Sequence, residues 1–254
     1  MNIYKSKKIY DRSNGQIPAL HFYKRNRINI GLKFIIPYFF IVIFSINIAF
    51  ADTHSRMADN PANFSLSFLY SNVDLKTNNT IINVNQRRIS ASIFNTINPY
   101  LDIGLVLGSS YLGIDNDSLT EGIDLNGNHI GFLVQGAVGN NTQVGYRAYY
   151  LYQDAKGTNT LRSATITWVE WLTEASLRLN IGSSWTLNLG GGLLGIEARR
   201  HVNGDINDSQ TLKNNADFQG HLSISLHTRP DGKITMNIFR GAQSGSMLTF
   251  SRNY

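Results

Sequence analysis

Beyond residue 51 apolar and polar side chains alternate with a period of two, the spacing of a strand with one apolar face. In Phe64-Ser65-Leu66-Ser67-Phe68-Leu69-Tyr70-Ser71 one face carries Phe64, Leu66, Phe68 and Tyr70, and the other is mostly serine. The same reading gives Ile89/Ala91/Ile93, Leu101 to Leu107, Ile130 to Val138, Val144 to Tyr152 and Val169 to Leu179. It continues through Leu187 to Leu193, Gly220 to Leu226, Ile234 to Ile238 and Leu248/Phe250. Ten strands are expected, with eight as the alternative.

Alternation alone does not say which face meets a core, but the polar faces do. Glu170, Glu174, Ser176 and Arg178 stand opposite Val169–Leu179, and Gln143 and Arg147 stand opposite Val144–Tyr152. Short connections at Asn98-Pro99, Gly139-Asn140-Asn141, Gly182-Ser183-Ser184 and 229–232 alternate with longer ones at 73–85, 112–127, 153–160 and 199–215; the short link at 241–245 is an exception. Short turns at one end and long loops at the other are the habit of membrane barrels. Most segments reach the ~9–11 residues that a tilted spanning strand requires. Tyr70, Tyr100, Tyr111, Tyr152, Trp168, Trp185 and Tyr254 fall near strand ends, where a girdle of aromatic rings would sit. The expected fold is all-β: a closed, antiparallel, up-and-down transmembrane β-barrel.

The chain ends in Leu248, Phe250 and Tyr254 at alternate positions, interrupted by Arg252. This resembles the closing strand of bacterial outer-membrane barrels, and residues 62–254 are similar in architecture to small barrels of the OmpA-transmembrane or opacity type. The resemblance implies residence in the outer membrane and contact with its lipid and lipopolysaccharide. It also implies recognition of the terminal strand by the barrel assembly machinery.

Residues 1–51 read as a separate segment. A basic stretch ending in Lys33 precedes an apolar run over 34–48, and Ala49-Phe50-Ala51 supplies the small-x-small pattern of signal cleavage. Cleavage is expected between Ala51 and Asp52, leaving 52–254 as the barrel. Eight Lys and Arg against one Asp give this leader a charge of +7, whereas the rest of the chain holds 15 basic and 16 acidic residues. The basic pI therefore belongs to the leader, and no nucleic-acid partner is expected.

Arg147, Glu170, Glu174, Arg178 and His221 are expected in the lumen as a polar network, with Gln219 beside them. No cofactor and no metal site is expected. Cysteine is absent, which excludes thiolate chemistry and disulfides. His221-Leu222-Ser223 resembles the His-x-Ser pair of outer-membrane lipid A deacylases, but Ile224 and Ser225 follow, and no Glu lies beyond Glu197 to orient the imidazole. Asp115-Asn116-Asp117 resembles the Asp-x-Asp of omptin proteases, without their Asp-x-His. The expected function is a non-enzymatic surface barrel with no wide channel, serving envelope structure, adhesion or partner binding, with loops 112–127 and 199–215 as the place where a surface ligand would be met. The alternatives are an outer-membrane hydrolase of either kind and a narrow pore.

Overall fold

The computed structural model describes residues 62–77, 80–139, 142–229 and 231–253. The expected signal segment, the Ala51/Asp52 junction and Tyr254 lie outside them. Eleven antiparallel strands follow in order: β1 (Ala62–Lys76), β2 (Ile81–Asn98), β3 (Leu101–Asp115), β4 (Leu125–Val138), β5 (Thr142–Thr158) and β6 (Arg162–Ile181). They continue with β7 (Trp185–Gly204), β8 (Asp208–Asn214), β9 (Phe218–Arg229), β10 (Gly232–Gly241) and β11 (Ser244–Asn253). β1 pairs with β11 from Asn63↔Asn253 to Asn72↔Ser244, so the sheet closes into a ring. In hydrocarbon a free edge would strand backbone donors and acceptors without partners, which is why closure is required.

The principal ring has the expected ten strands, and β8 stands apart from it. The lower part of β7 pairs with β9 and its upper part with β8, and β8 reaches β1 through Leu75↔Asn214 and Lys76↔Lys213. Strands β1 to β8 thus make a second, smaller ring above the first. At the junction β7 changes partner, and its backbone is kept paired by one side chain. Asn214 accepts from the Ile196 amide at 3.0 Å and donates to the Leu194 carbonyl at 2.9 Å, while the Leu194 amide donates to the Asp217 carbonyl.

Three of the four long connections are therefore mostly strand, contrary to expectation. β1 and β2 fill most of 73–85, β5 and β6 reach to Thr158 and Arg162, and 199–215 is the end of β7 with β8. The cause is an inversion of faces partway along the strands. On β1 the outward residues run Phe64, Leu66, Phe68 and Tyr70, then Asn72, Asp74 and Lys76; the inward ones run Ser65, Ser67, Leu69 and Ser71, then buried Val73 and Leu75. β2 and β6 change likewise, from Arg88 and Gln86 to Val84 and Ile82 inside, and from Glu170 to Ile166 and Ala164. Low in the barrel the apolar face looks outward, as lipid demands; above, the strands obey the ordinary rule of an aqueous protein and turn apolar side chains in. Among the described residues thirty large apolar side chains are exposed, Ile93, Phe132, Leu177 and Leu189 among them, and most make up the lower belt.

Candidate functional site

What the barrel encloses is the candidate site, and it is stacked in layers. Uppermost is an apolar plug. Val73, Leu75, Ile82, Val84, Leu112, Leu125, Ile166, Leu194, Ile196 and Leu212 pack into one buried cluster, and Ile123 and Leu119 press on it from the 116–124 loop. This loop is the one long connection that remains a loop, and successive turns, Thr120 N–H to the Asp117 carbonyl and Ile123 N–H to the Thr120 carbonyl, fold it over the opening.

Ion pairs fasten the loop. Arg200, buried inside β7, donates to Asp117 of the loop and to Asp208 of β8 at 3.0 Å. Arg162 donates through Nη1 to the Ser118 carbonyl at 2.8 Å and through Nη2 to Asp205 at 2.9 Å. The hydrogen bond from Arg162 holds the Asp205 carboxyl below its ordinary range, and the same bond raises the guanidinium.

Beneath the plug lies a polar layer. Gln243, in the β10–β11 turn, donates to Ser71 Oγ at 2.7 Å and to Gln86 Oε1 at 3.1 Å, and Gln86 donates to Gln153 at 3.2 Å. Ala242 beside it is buried as well. The short 241–245 link, out of step with the other connections on its side, thus folds into the lumen at the level where β8 replaces β9–β11.

Next comes a charged layer. Arg88 Nη2 lies 2.8 Å from Glu170 Oε1 and 3.1 Å from Oε2. Glu170 also accepts from the Tyr149 hydroxyl, and from Trp168 Nε1 at 3.1 Å. A fully buried carboxylate is tolerable because its oxygens are thus occupied. Close by, Arg147 Nε lies 2.7 Å from Glu174 Oε1 as an ion pair, and His221 Nδ1 lies 3.2 Å from Glu174 Oε2; neither contact has hydrogen-bond alignment. Glycines on β7 leave this space: a Cβ at Gly190 would come within 2.7 Å of the His221 ring, and one at Gly192 within 2.6 Å of Glu174 Cβ. Lower still, Arg178 donates to Asn188 and Gln143, both at 3.2 Å.

The structure therefore places Arg147, Glu170, Glu174, Arg178 and His221 on the inner face but in three groups. Arg88 and His129, the latter 2.8 Å from Ser90 Oγ, join them unannounced by the sequence reading. Their signal was available, since each shares the parity of the polar face of its strand. Trp168 corrects the expected girdle: it has the parity of Glu170 and is fully buried in the lumen. Tyr70, Tyr152 and Trp185 do face outward. Leu248 and Phe250 are exposed on β11, paired with Phe68 and Leu66.

The two hydrolase patterns fare differently from expectation. A carboxylate does face His221, but it is Glu174 from an earlier strand, shared with Arg147. His221 and Ser223 are both buried on the inner wall, and no hydrogen bond joins them among the described residues. Asp117 is engaged by Arg200 inside the lid, while Asp115 accepts from Asn85 on the outer wall and His201 lies on the outward face of β7. Among the described residues no group of three or more His, Asp or Glu could hold a metal ion.

A closed antiparallel barrel with a polar interior and an apolar outer belt is an outer-membrane-type transmembrane β-barrel. No protein-family model and no curated protein sequence matches the chain. Among solved structures it is similar to the outer membrane protease OmpT from Escherichia coli, at 11% identity, with 80% of this chain and 99% of that one covered and a TM-score of 0.49. The β-domain of the Bordetella autotransporter BrkA gives 10% identity, 77% and 99% coverage and a TM-score of 0.45. The outer membrane protein OprG from Pseudomonas aeruginosa gives 9%, 77% and 96%, and 0.43.

Proposed function

We propose that the protein resides in a bacterial outer membrane as a plugged, non-enzymatic barrel that acts through its closed outer end, as an envelope or partner-binding element. One observation carries this reading: the lumen is filled at successive levels by the apolar plug, the Gln243 layer and the Arg88–Glu170 layer. Ten strands enclose little more than the side chains of their own inner faces, far below the 16–18 strands that leave an aqueous channel. A substrate has no evident route to His221 and Ser223 through those layers. The surface left for recognition is the lid formed by 116–124 and the β7–β8 hairpin, within the loops 112–127 and 199–215.

Planar-bilayer recording of the refolded barrel tests this. A silent or rarely opening barrel is expected. Steady conductance comparable with that of a general porin would refute it. Hydrolysis of lipid A or peptide above a no-protein control, abolished by His221→Ala, would show the non-enzymatic reading to be wrong.

A further inference from the structure

Where the outer wall leaves the apolar belt, the outward face of β2 changes from Ile89 to Arg87, Asn85 and Asn83. Strand register places Tyr70 of β1 and Tyr111 of β3 directly on either side of Arg87. The guanidinium carbon lies 5.9 Å from the Tyr70 ring centre and 5.6 Å from that of Tyr111. Two aromatic rings thus fix the direction of a long side chain that would otherwise sweep through solvent.

Arg87 takes part in none of the ion pairs among the described residues. On the neighbouring strand and loop, Asp115 accepts from the Asn85 amide and Asp124 from the Tyr111 hydroxyl. Arg87 and its two tyrosines share the lining of an open groove of about 430 Å³ with the apolar Phe68, Ile89 and Leu248.

A fixed cation above an apolar trough complements a molecule with an anion above an acyl chain. A free phosphate would use the first half alone. A soluble acidic protein could not enter the second, which lies in the belt. A guanidinium forks onto phosphate oxygens with paired hydrogen bonds, and an interfacial arginine meets phosphates at that depth.

We propose that Arg87, steadied by Tyr70 and Tyr111, binds the phosphate of a phosphorylated, acylated lipid of the outer leaflet, one acyl chain of which lies over Phe68, Ile89 and Leu248. The proposal rests on the membrane-barrel reading above.

Native mass spectrometry of the folded full chain in detergent tests it, with three probes: a bisphosphorylated acylated disaccharide lipid, its dephosphorylated counterpart and inorganic phosphate. The phosphorylated lipid is expected to form a one-to-one adduct whose half-saturation concentration rises about tenfold in Arg87→Ala and less in Arg87→Lys. Arg240→Ala, an exposed outward arginine on β10, is expected to bind as the parent does. Equal binding by Arg87→Ala, an equal loss in Arg240→Ala, or equal binding of the dephosphorylated lipid would overturn the proposal. Saturation by inorganic phosphate at the same concentration as the lipid would also overturn it, in favour of a free-anion site. Each variant is run boiled and unboiled on a gel; a parent protein without a heat-dependent mobility shift would defeat the barrel reading itself, separately from the site.

Discussion

Arg88 on β2 and Glu170 on β6 meet across the lumen, guanidinium to carboxylate at 2.8 Å, and the carboxylate has no exposure to solvent. Neither residue is adjacent to the other in the strand order; the barrel must close before they touch. Removing one partner leaves a charge buried without compensation, which costs about 3–5 kcal/mol. Glu170→Ala is therefore expected to lower the denaturant midpoint of the refolded barrel sharply. The double change Arg88→Met with Glu170→Leu should restore much of that loss. If the double variant were as unstable as the single, the pair would not be the cause.

Neighbouring residues on a strand point to opposite faces, so the register of β6 can be tested at adjacent positions. Leu177 is half exposed on the belt, whereas Glu174 and Arg178 are inside. Leu177→Arg should cost ~2–4 kcal/mol if the residue is near mid-membrane. Thr165→Arg, on the same outward face but above the inversion, should cost almost nothing. Folding titrations into lipid vesicles compare the two, and equal costs would contradict the placement of the belt.

Much of this fold was legible in the sequence because a period of two survives wherever one face meets lipid. The ten spanning strands follow from runs such as Phe64-Leu66-Phe68-Tyr70, and the inner position of Glu174 follows from its parity against Leu177. Reading failed where the apolar side chains changed face. At Val73 and Leu75 the apolar residues continue on the opposite parity, so a pattern followed in one phase breaks off and the rest looks like loop. The short strand β8 was hidden likewise, since Leu212 is its one large inward apolar residue. Contacts such as Glu174 with His221 and Asp117 with Arg200 lie between distant segments, and no local pattern signals them.

The Arg162–Asp205 pair gives the lid a pH dependence whose sign is fixed. Its folded-state carboxyl titrates below the ordinary aspartate range, so the pair stabilises the lid fully above the unfolded value and is lost as pH falls through the folded one. Carboxyl-carbon NMR should show Asp205 titrating below a free aspartate, and Arg162→Gln should return it toward ordinary. Pepsin nicking near 205–207 should rise through the same acid range. An Asp205 midpoint unaffected by Arg162→Gln would show that the guanidinium is not the cause.

The final prediction separates the two blocks in the lumen. Arg200 is buried and is shared by Asp117 of the 116–124 loop and Asp208 of β8, so Arg200→Ala removes the main fastening of the lid and leaves Asp117 with less compensation. The loop should loosen, and proteases should cut at 116–124 in the variant while the heat-dependent mobility of the barrel persists. Conductance should nevertheless stay near the parent level, because the Gln243 and Arg88–Glu170 layers lie deeper and do not depend on the loop. Adding Arg88→Ser and Glu170→Ser to Arg200→Ala shortens the inner layer as well and should produce frequent small openings in bilayer recordings. Large steady currents from Arg200→Ala alone would mean that the lid is the sole barrier and that the deeper layers do not seal the lumen.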